Sequence, residues 1–303
     1  MKKILILVDK VGPKKEMLAE LIAERLSDKN TQIVLARFSD LYFEIDGENV
    51  IVEVEGTSIE RFDLVYFRRA GDKFSGIALT LALCLEELGV KYIDSTWGNI
   101  GPLGSKFASL VRLARAHLPI FTTIYFWPTH IEKYQDSLIR KFGLPLIAKE
   151  LSTQRGKGVI LIRTKEDFKK LPLTDSKGRN NQYLFQKFIE IKDEFRVLVL
   201  GNKARVWERK IITIKGEFRH NISLGASEEF LPIAKIPEKI ADVAADAAAV
   251  LNLQIAGVDL AIQKKTNNVF LVEVNRGPGI TYDTKISPEI DEMAKFLEES
   301  VKK

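Results

Sequence analysis

A chain of 303 residues is about twice the common domain size, so two or three modules with substantial cores are expected. Hydrophobic residues at 46% and charged residues at 29% place it among globular proteins and exclude a disordered or fibrous chain. The net charge of +5 is unevenly spread: Lys149 to Arg219 holds 18 Lys/Arg against 9 Asp/Glu, so anions are expected in the middle of the chain.

The apolar run at the start is limited to Ile4 to Val8, too short for a secretory signal, and reads as a strand. A helix near Glu16 to Leu26, strands at Ile33 to Ala36 and Leu64 to Phe67, a helix near Ile77 to Leu88 and a strand at Tyr92 and Ile93 follow. That order predicts a parallel sheet with helical crossovers. The turn Asp9-Lys10-Val11-Gly12-Pro13 has no G-x-G-x-x-G, so this module is expected to be a scaffold or half of a substrate cleft, not a dinucleotide site. Cys84, the single cysteine, sits among Leu81, Leu83 and Leu85 and reads as a small buried apolar residue. With no partner for a disulfide, a reducing, cytoplasmic compartment is expected. No stretch approaches the ~20 apolar residues that cross a bilayer, so no membrane partner is expected.

The glycine-rich passage Gly98 to Gly104 marks a first boundary, after which Ser105 can cap a helix to about His117. A second helix, near Ile131 to Phe142, ends at Gly143. Two β-rich stretches come next, Pro145 to Ile162 and Tyr183 to Ile214 with a Gly201-Asn202 turn. An alanine-rich helix from Glu238 to Leu251, a hairpin from Gly257 to Asn275 and a closing helix from Pro288 complete the chain.

The hairpin carries the strongest chemical signal. With a turn centred on Thr266, antiparallel pairing places Asp259 opposite Glu273, and side-chain alternation turns Glu273 and Asn275 the same way. Facing carboxylates repel unless something positive lies between them, and a hard cation with oxygen ligands, such as magnesium shared with substrate phosphates, resolves that conflict. A weaker signal is the strand Leu146 to Lys149, the loop through Gly156, Lys157 and Gly158, and the strand Val159 to Ile162. Such a loop can close over phosphates while Lys149 offers a point charge. The apolar strand Tyr183 to Ile189, leading to Asp193 and Glu194, could form a flat slot for a base with an acid nearby. Arg196, Arg209 and Arg219, with His220 and Asn221, supply cations suited to phosphate and an oxyanion. His117, His130 and His220 show no metal spacing and no nucleophile partner, so a hydrolytic triad is unsupported.

In this order the pieces resemble the ATP-grasp superfamily, and in particular its RimK-like branch, the α-L-glutamate ligases. The resemblance runs from about Ser105 to Gly279, and its most specific part is Ala256-Gly257-Val258-Asp259 with Glu273-Val274-Asn275 and Pro278-Gly279. It implies an ATP-grasp fold, α/β and α+β, with an N-terminal Rossmann-like pre-ATP-grasp α/β domain at 1–100, a central lid domain at 101–184 and a C-terminal domain with the metal site at 185–303. Asp259, Glu273 and Asn275 would hold Mg2+, two ions with Mn2+ as a substitute. Lys106 and Lys149 would contact ATP phosphates, with the Gly156-Lys157-Gly158 loop closing over them. Gln186, Lys187 and Ile189 would line adenine, Glu194 would hold ribose, and Arg209, Arg219 and Asn221 would face the γ-phosphate and the acyl phosphate. The implied reaction is ATP-dependent joining of a carboxylate to an amine, with an amino acid or acidic peptide as a substrate. Lys187 replaces an acid common after that glutamine, and Arg276 follows the metal asparagine where a small residue is common. Both departures leave the substrate open. The rival readings are a kinase on the same fold and a non-catalytic nucleotide-binding module. A nucleic-acid partner is not expected, since no recognised motif or interleaved aromatics accompany the basic stretch.

Overall fold

Each of the first strands is apolar on both faces, the pattern of a parallel sheet covered on two sides. The computed structural model bears this out; it describes the chain apart from residues 46–49, 72–73, 99–105, 127, 152, 154–157, 175–180, 212–226 and 303. The N-terminal unit runs β1 (Lys2–Val8), α1 (Pro13–Arg25), β2 (Thr31–Arg37), then a small antiparallel excursion, β3 (Leu41–Ile45), β4 (Val50–Val54) and β5 (Thr57–Ser58). It returns through β6 (Leu64–Arg69), α2 (Ser75–Glu87) and β7 (Tyr92–Ile93). The main sheet is parallel in the order β2-β1-β6-β7. Ile4 to Val8 are fully buried at its centre, and Cys84 is buried on α2, where burial pushes its thiol pKa up.

After α3 (Lys106–Arg115) a central lobe begins with β8 (Thr123–Tyr125) and α4 (Ile131–Phe142). The helix buries Ile131, Leu138 and Phe142, one stripe at helical spacing, and stops at Gly143, whose φ of 74° suits a residue without Cβ. Then come β9 (Leu146–Glu150), β10 (Val159–Ile162) and β11 (Tyr183–Lys187), forming an antiparallel sheet in the order β10-β9-β11-β8. Its core, with Leu146, Ala148, Ile162, Phe168 and Phe185, is its own. The sheet continues to Lys187, so the expected boundary at 184 falls inside a strand. Likewise α3 lies within the expected lid but buries Leu113 in the core of the following lobe.

That lobe contains β12 (Ile191–Leu200), β13 (Lys203–Ile211), β14 (Ser227–Leu231), α5 (Glu238–Val250), β15 (Ile255–Gln263), β16 (Val269–Asn275) and α6 (Glu289–Lys302). The strands form an antiparallel sheet in the order β14-β13-β12-β15-β16. One face, with Phe195, Val197, Val199, Val258 and Leu260, packs on α5. The opposite face is divided. Leu198, Leu200 and Ile255 join Ile4, Ile6 and Leu18 and the α6 residues Ile290, Met293 and Leu297 in one continuous core. Polar ties reinforce this junction: Ile255 N–H donates to Asp94 at 3.0 Å, and Asp28 N–H donates to Glu298 at 2.9 Å. Beyond the apolar half, the same face becomes charged. Among the described residues no helix is long and apolar enough to cross a membrane.

Candidate active site

Alternation along β12 puts Glu194 and Arg196 on the face that Leu198 and Leu200 bury further along. Cross-strand register extends this into a row of directly opposed residues: Glu208 on β13, Arg196 on β12, Asp259 on β15 and Glu273 on β16. The pairing of Asp259 with Glu273 is the one expected from the hairpin, and Asn275, opposite Gly257, shares their face. Glu228, Lys210 and Glu194 form the neighbouring row.

Asp259 is 4% exposed and is the hub of this face. Arg196 grips it bidentately, Nε to Oδ1 at 2.9 Å and Nη2 to Oδ2 at 3.1 Å. Lys210 Nζ donates to Oδ1 at 2.8 Å and Asn275 Nδ2 to Oδ2 at 3.1 Å. Burial opposes the charged carboxylate, but the Arg196 and Lys210 charges outweigh it and hold the Asp259 pKa down at about 2. Lys210, whose side chain is 3% exposed, also donates to Glu194 Oε1 at 2.7 Å. Burial alone would lower its pKa; Asp259 and Glu194 reverse that and raise it. Burial pushes Glu194 up, against the Lys210 charge. At the far end, burial lifts Glu208 to about 8 and Glu289, at the start of α6, to about 7.

The donor set of Asp259, Glu273 and Asn275 is oxygen-rich and fits a hard divalent cation. Among the described residues no three His, Cys, Asp or Glu side chains are grouped to hold a metal. Two carboxylates and an amide leave coordination positions for phosphate oxygens and water, the usual arrangement for magnesium.

The other expected site residues divide. Lys149 lies on β9 with its Nζ 5.5 Å from the Phe121 ring centroid and within electrostatic reach of Glu194, which places it between the two lobes. Gln186 is buried and its Nε2 donates to Thr123 at 2.7 Å, so its side chain is spent inside the central sheet, while Lys187 is exposed and Ile189 half-buried. Glu194 is on the charged face, engaged by Lys210. Arg209 is not brought there: it lies on the opposite face, beside Phe195 and Trp207, with Nε and Nη2 on Glu229 at 2.9 and 2.6 Å. Gly158 closes the base of its loop, its carbonyl accepting from Glu150 N–H at 2.8 Å, and a Cβ there would lie 2.7 Å from Glu150 Cβ. Gly156, Lys157, Arg219 and Asn221 lie outside the described residues, as does the Lys106 side chain at the start of α3. Lys210, Glu208 and Glu289 were not anticipated; the signal available for Lys210 was its position on the same pleat face as Glu208. Arg276 stacks on Trp97, its guanidinium carbon 4.0 Å from the ring centroid, and so turns toward the N-terminal unit.

Gly257 explains one part of the hairpin motif. A Cβ there would sit 2.6 Å from Pro278 Cβ, so the Pro278-Gly279 segment can close over β15 only above a glycine. Gly257→Ala is expected to cost about 1–3 kcal/mol by overpacking and to lower turnover by displacing the partner strand at Asn275. Urea denaturation alongside steady-state kinetics checks both.

The profile of the RimK-like ATP-grasp domain family matches residues 104–298. The chain belongs to the RimK-like ATP-grasp family. It is an ATP-dependent carboxylate–amine ligase by that membership. This RimK-like chain is 27% identical over 266 residues to a probable alpha-L-glutamate ligase of Syntrophotalea carbinolica, covering 86% of the chain and 84% of that relative. A probable alpha-L-glutamate ligase of Methanococcoides burtonii is 26% identical, with 86% and 83% covered. Among solved structures, the ATP-grasp ligase PsnB complexed with minimal precursor aligns with a TM-score of 0.71 at 16% identity, covering 100% of this chain and 99% of that one. The D-alanine-D-alanine ligase from Coxiella burnetii aligns at 0.67 and 17% identity, covering 100% and 94%. At these identities the structural likeness establishes the ATP-grasp fold.

Proposed function

We propose that the charged face of the C-terminal sheet is the reaction centre, with Asp259, Glu273 and Asn275 binding magnesium and the Lys149 side of the central lobe binding ATP phosphates. We also propose that one substrate is an amino acid or acidic peptide, glutamate among them, in line with the names of the relatives. The observation that carries this reading is the direct opposition of Asp259 and Glu273 with Asn275 on the same face.

The reaction has two steps. A substrate carboxylate oxygen bonds to the γ-phosphorus of ATP as the bond to the ADP oxygen breaks; an amine then attacks the acyl carbon and phosphate departs. Bound magnesium, as two ions with manganese able to substitute, would supply charge neutralisation on the phosphates. Lys149 offers a fixed positive charge to anionic oxygens. The test is to incubate the enzyme with MgATP and a panel of amino acids and acidic peptides and to assay ADP, phosphate and product mass. An amide with free phosphate supports the reading; phosphate retained on the substrate would identify a kinase.

Lys149→Ala is expected to weaken ATP binding about tenfold, one lost charge-assisted contact. Lys165→Ala, which removes an exposed lysine paired with Asp136 at 2.7 Å, should leave it within about twofold. Calorimetric ATP titrations of the two variants make the comparison, and equal affinities would remove Lys149 from the site.

A further inference from the structure

The Asp259 carboxylate is saturated. Oδ1 accepts from Arg196 and Lys210, and Oδ2 accepts from Arg196 and Asn275. A carboxylate offers about four lone-pair positions, so a cation can gain Asp259 as a ligand only when one of these donors withdraws. Lys210 is 3% exposed and anchored by Glu194 as well. Asn275 gives up one bond. Arg196 holds two of the four positions, one on each oxygen, and a divalent cation held by Asp259, Glu273 and Asn275 would repel its guanidinium.

Arg196 also has somewhere to go. On its other side, one strand spacing of about 4.8 Å away, stands Glu208, directly opposed in the ladder. Glu208 is 2% exposed, and its Oε1 is buried with no hydrogen-bond partner among the described residues. An unsatisfied buried carboxyl oxygen next to an arginine is costly and is relieved by taking the arginine's donors. Burial without that bond is also what lifts the Glu208 pKa. The row therefore reads acid, arginine, acid, acid, with the arginine able to pair to either side.

We propose that Glu208 is a positioning residue for the divalent cation: it receives the Arg196 guanidinium when Asp259 turns to the ion. This rests on Asp259, Glu273 and Asn275 being the cation ligands. Arg196 and Glu208 then act as a two-position relay, with Arg196 on Asp259 before loading and on Glu208 after it. The protein keeps Asp259 neutralised without metal and releases it without leaving a buried arginine unpaired.

The experiment is a double-mutant cycle read by Mn2+ binding in the presence of ADP, with free Mn2+ followed by its paramagnetic resonance signal. Glu208→Gln, which preserves shape, should weaken Mn2+ binding about tenfold, a usual size for a coupling between sites. In an Arg196→Gln background the same change should leave Mn2+ affinity unaltered, because no guanidinium needs a destination. A purely structural role for Glu208 would weaken binding equally in both backgrounds and would overturn the proposal, as would unaltered binding in Glu208→Gln alone. If Glu208→Gln does not fold, Glu208→Asp, which withdraws the carboxyl by one methylene, runs the same cycle with a smaller expected loss. Asp259→Asn separates the two levels. Wild-type Mn2+ affinity in that variant would remove the metal site and the relay together, whereas lost affinity with an additive cycle would remove the relay alone.

Discussion

Asp259→Asn should reduce ATP turnover by about 10³-fold or more and destabilise the protein, whereas Glu273→Gln should cost a similar share of turnover with little change in stability. Asp259 neutralises both Arg196 and Lys210 at 4% exposure. Removing its charge leaves two cations short of a partner, at roughly 3–5 kcal/mol. Glu273 is half-buried at the end of the row. Because ligands of one ion act together, adding Asn275→Ala to Glu273→Gln should lower turnover by far less than the product of the single effects. The pH dependence separates the stability component. A carboxyl whose folded pKa is about 2, below the ordinary carboxyl value of 3.8, contributes fully above about pH 4, and that contribution is lost as pH falls toward 2. The wild type should therefore lose its advantage over Asp259→Asn across that window, measured by urea midpoints.

Lys210→Met should be the most destabilising change among the cations, by roughly 3–5 kcal/mol, because it strips the ammonium from between two buried carboxylates. Glu194 is already pushed up by burial and is held back first by the Lys210 charge. Without that charge it rises further, so ionising it in the folded state costs more. A raised carboxyl pKa gives stability that is lost as pH rises through the folded value, so the deficit of Lys210→Met should be small at pH 5 and large at pH 8. Converting Glu194 to Gln in the same chain should recover much of the loss at pH 8, where Met and Gln replace a stranded ion by neutral groups. Denaturation at the two pH values decides it, and a pH-independent deficit would mean that packing of the lysine stem, not its charge, is what matters.

The hairpin was legible because a polar turn separates two apolar strands, but its register was met only in outcome: pairing from the turn runs Leu260 with Leu271, and a bulge at Val272 is what brings Asp259 opposite Glu273. The parallel N-terminal sheet was legible from its continuous apolar strands. The β3–β5 excursion was missed although its pattern is present: Leu41 to Ile45 and Val50 to Val54 are apolar, β-forming runs on either side of Asp46-Gly47 in the sequence. Arg209, which the resemblance turned toward the phosphates, lies on the other face for a more specific reason. From the Gly201-Asn202 turn, simple pairing would run Leu200 with Lys203 and Val199 with Ala204, and continuing it would set Arg209 opposite Glu194. The structure breaks that count between Leu198 and Val199, where Arg205 is the extra residue on β13. A one-residue bulge exchanges the faces of everything beyond it. Lys210 therefore meets Glu194, and Arg209 points to Glu229. Nothing in the local residue types announces that bulge. Arg196 was visible as a cation, but its bond to Asp259, 63 residues along the chain, depends on the pairing of β12 with β15.

The shared core of the N-terminal unit and the C-terminal lobe also bears on how this chain can change over time. Ile4, Ile6 and Leu18 pack with Leu198, Ile255 and Met293, so a substitution in the first strand is felt directly under β12 and β15. Insertion, exchange or loss of the first hundred residues must be matched by compensating changes around Ile255 and α6. The central lobe carries its own core, with Ile131, Leu146 and Phe185, and Phe121 at its start stacks on Phe270 of the C-terminal lobe. Away from the Lys149 side, a core of its own lets that lobe change length or surface with less effect on the Asp259 face than a change in the first strand has.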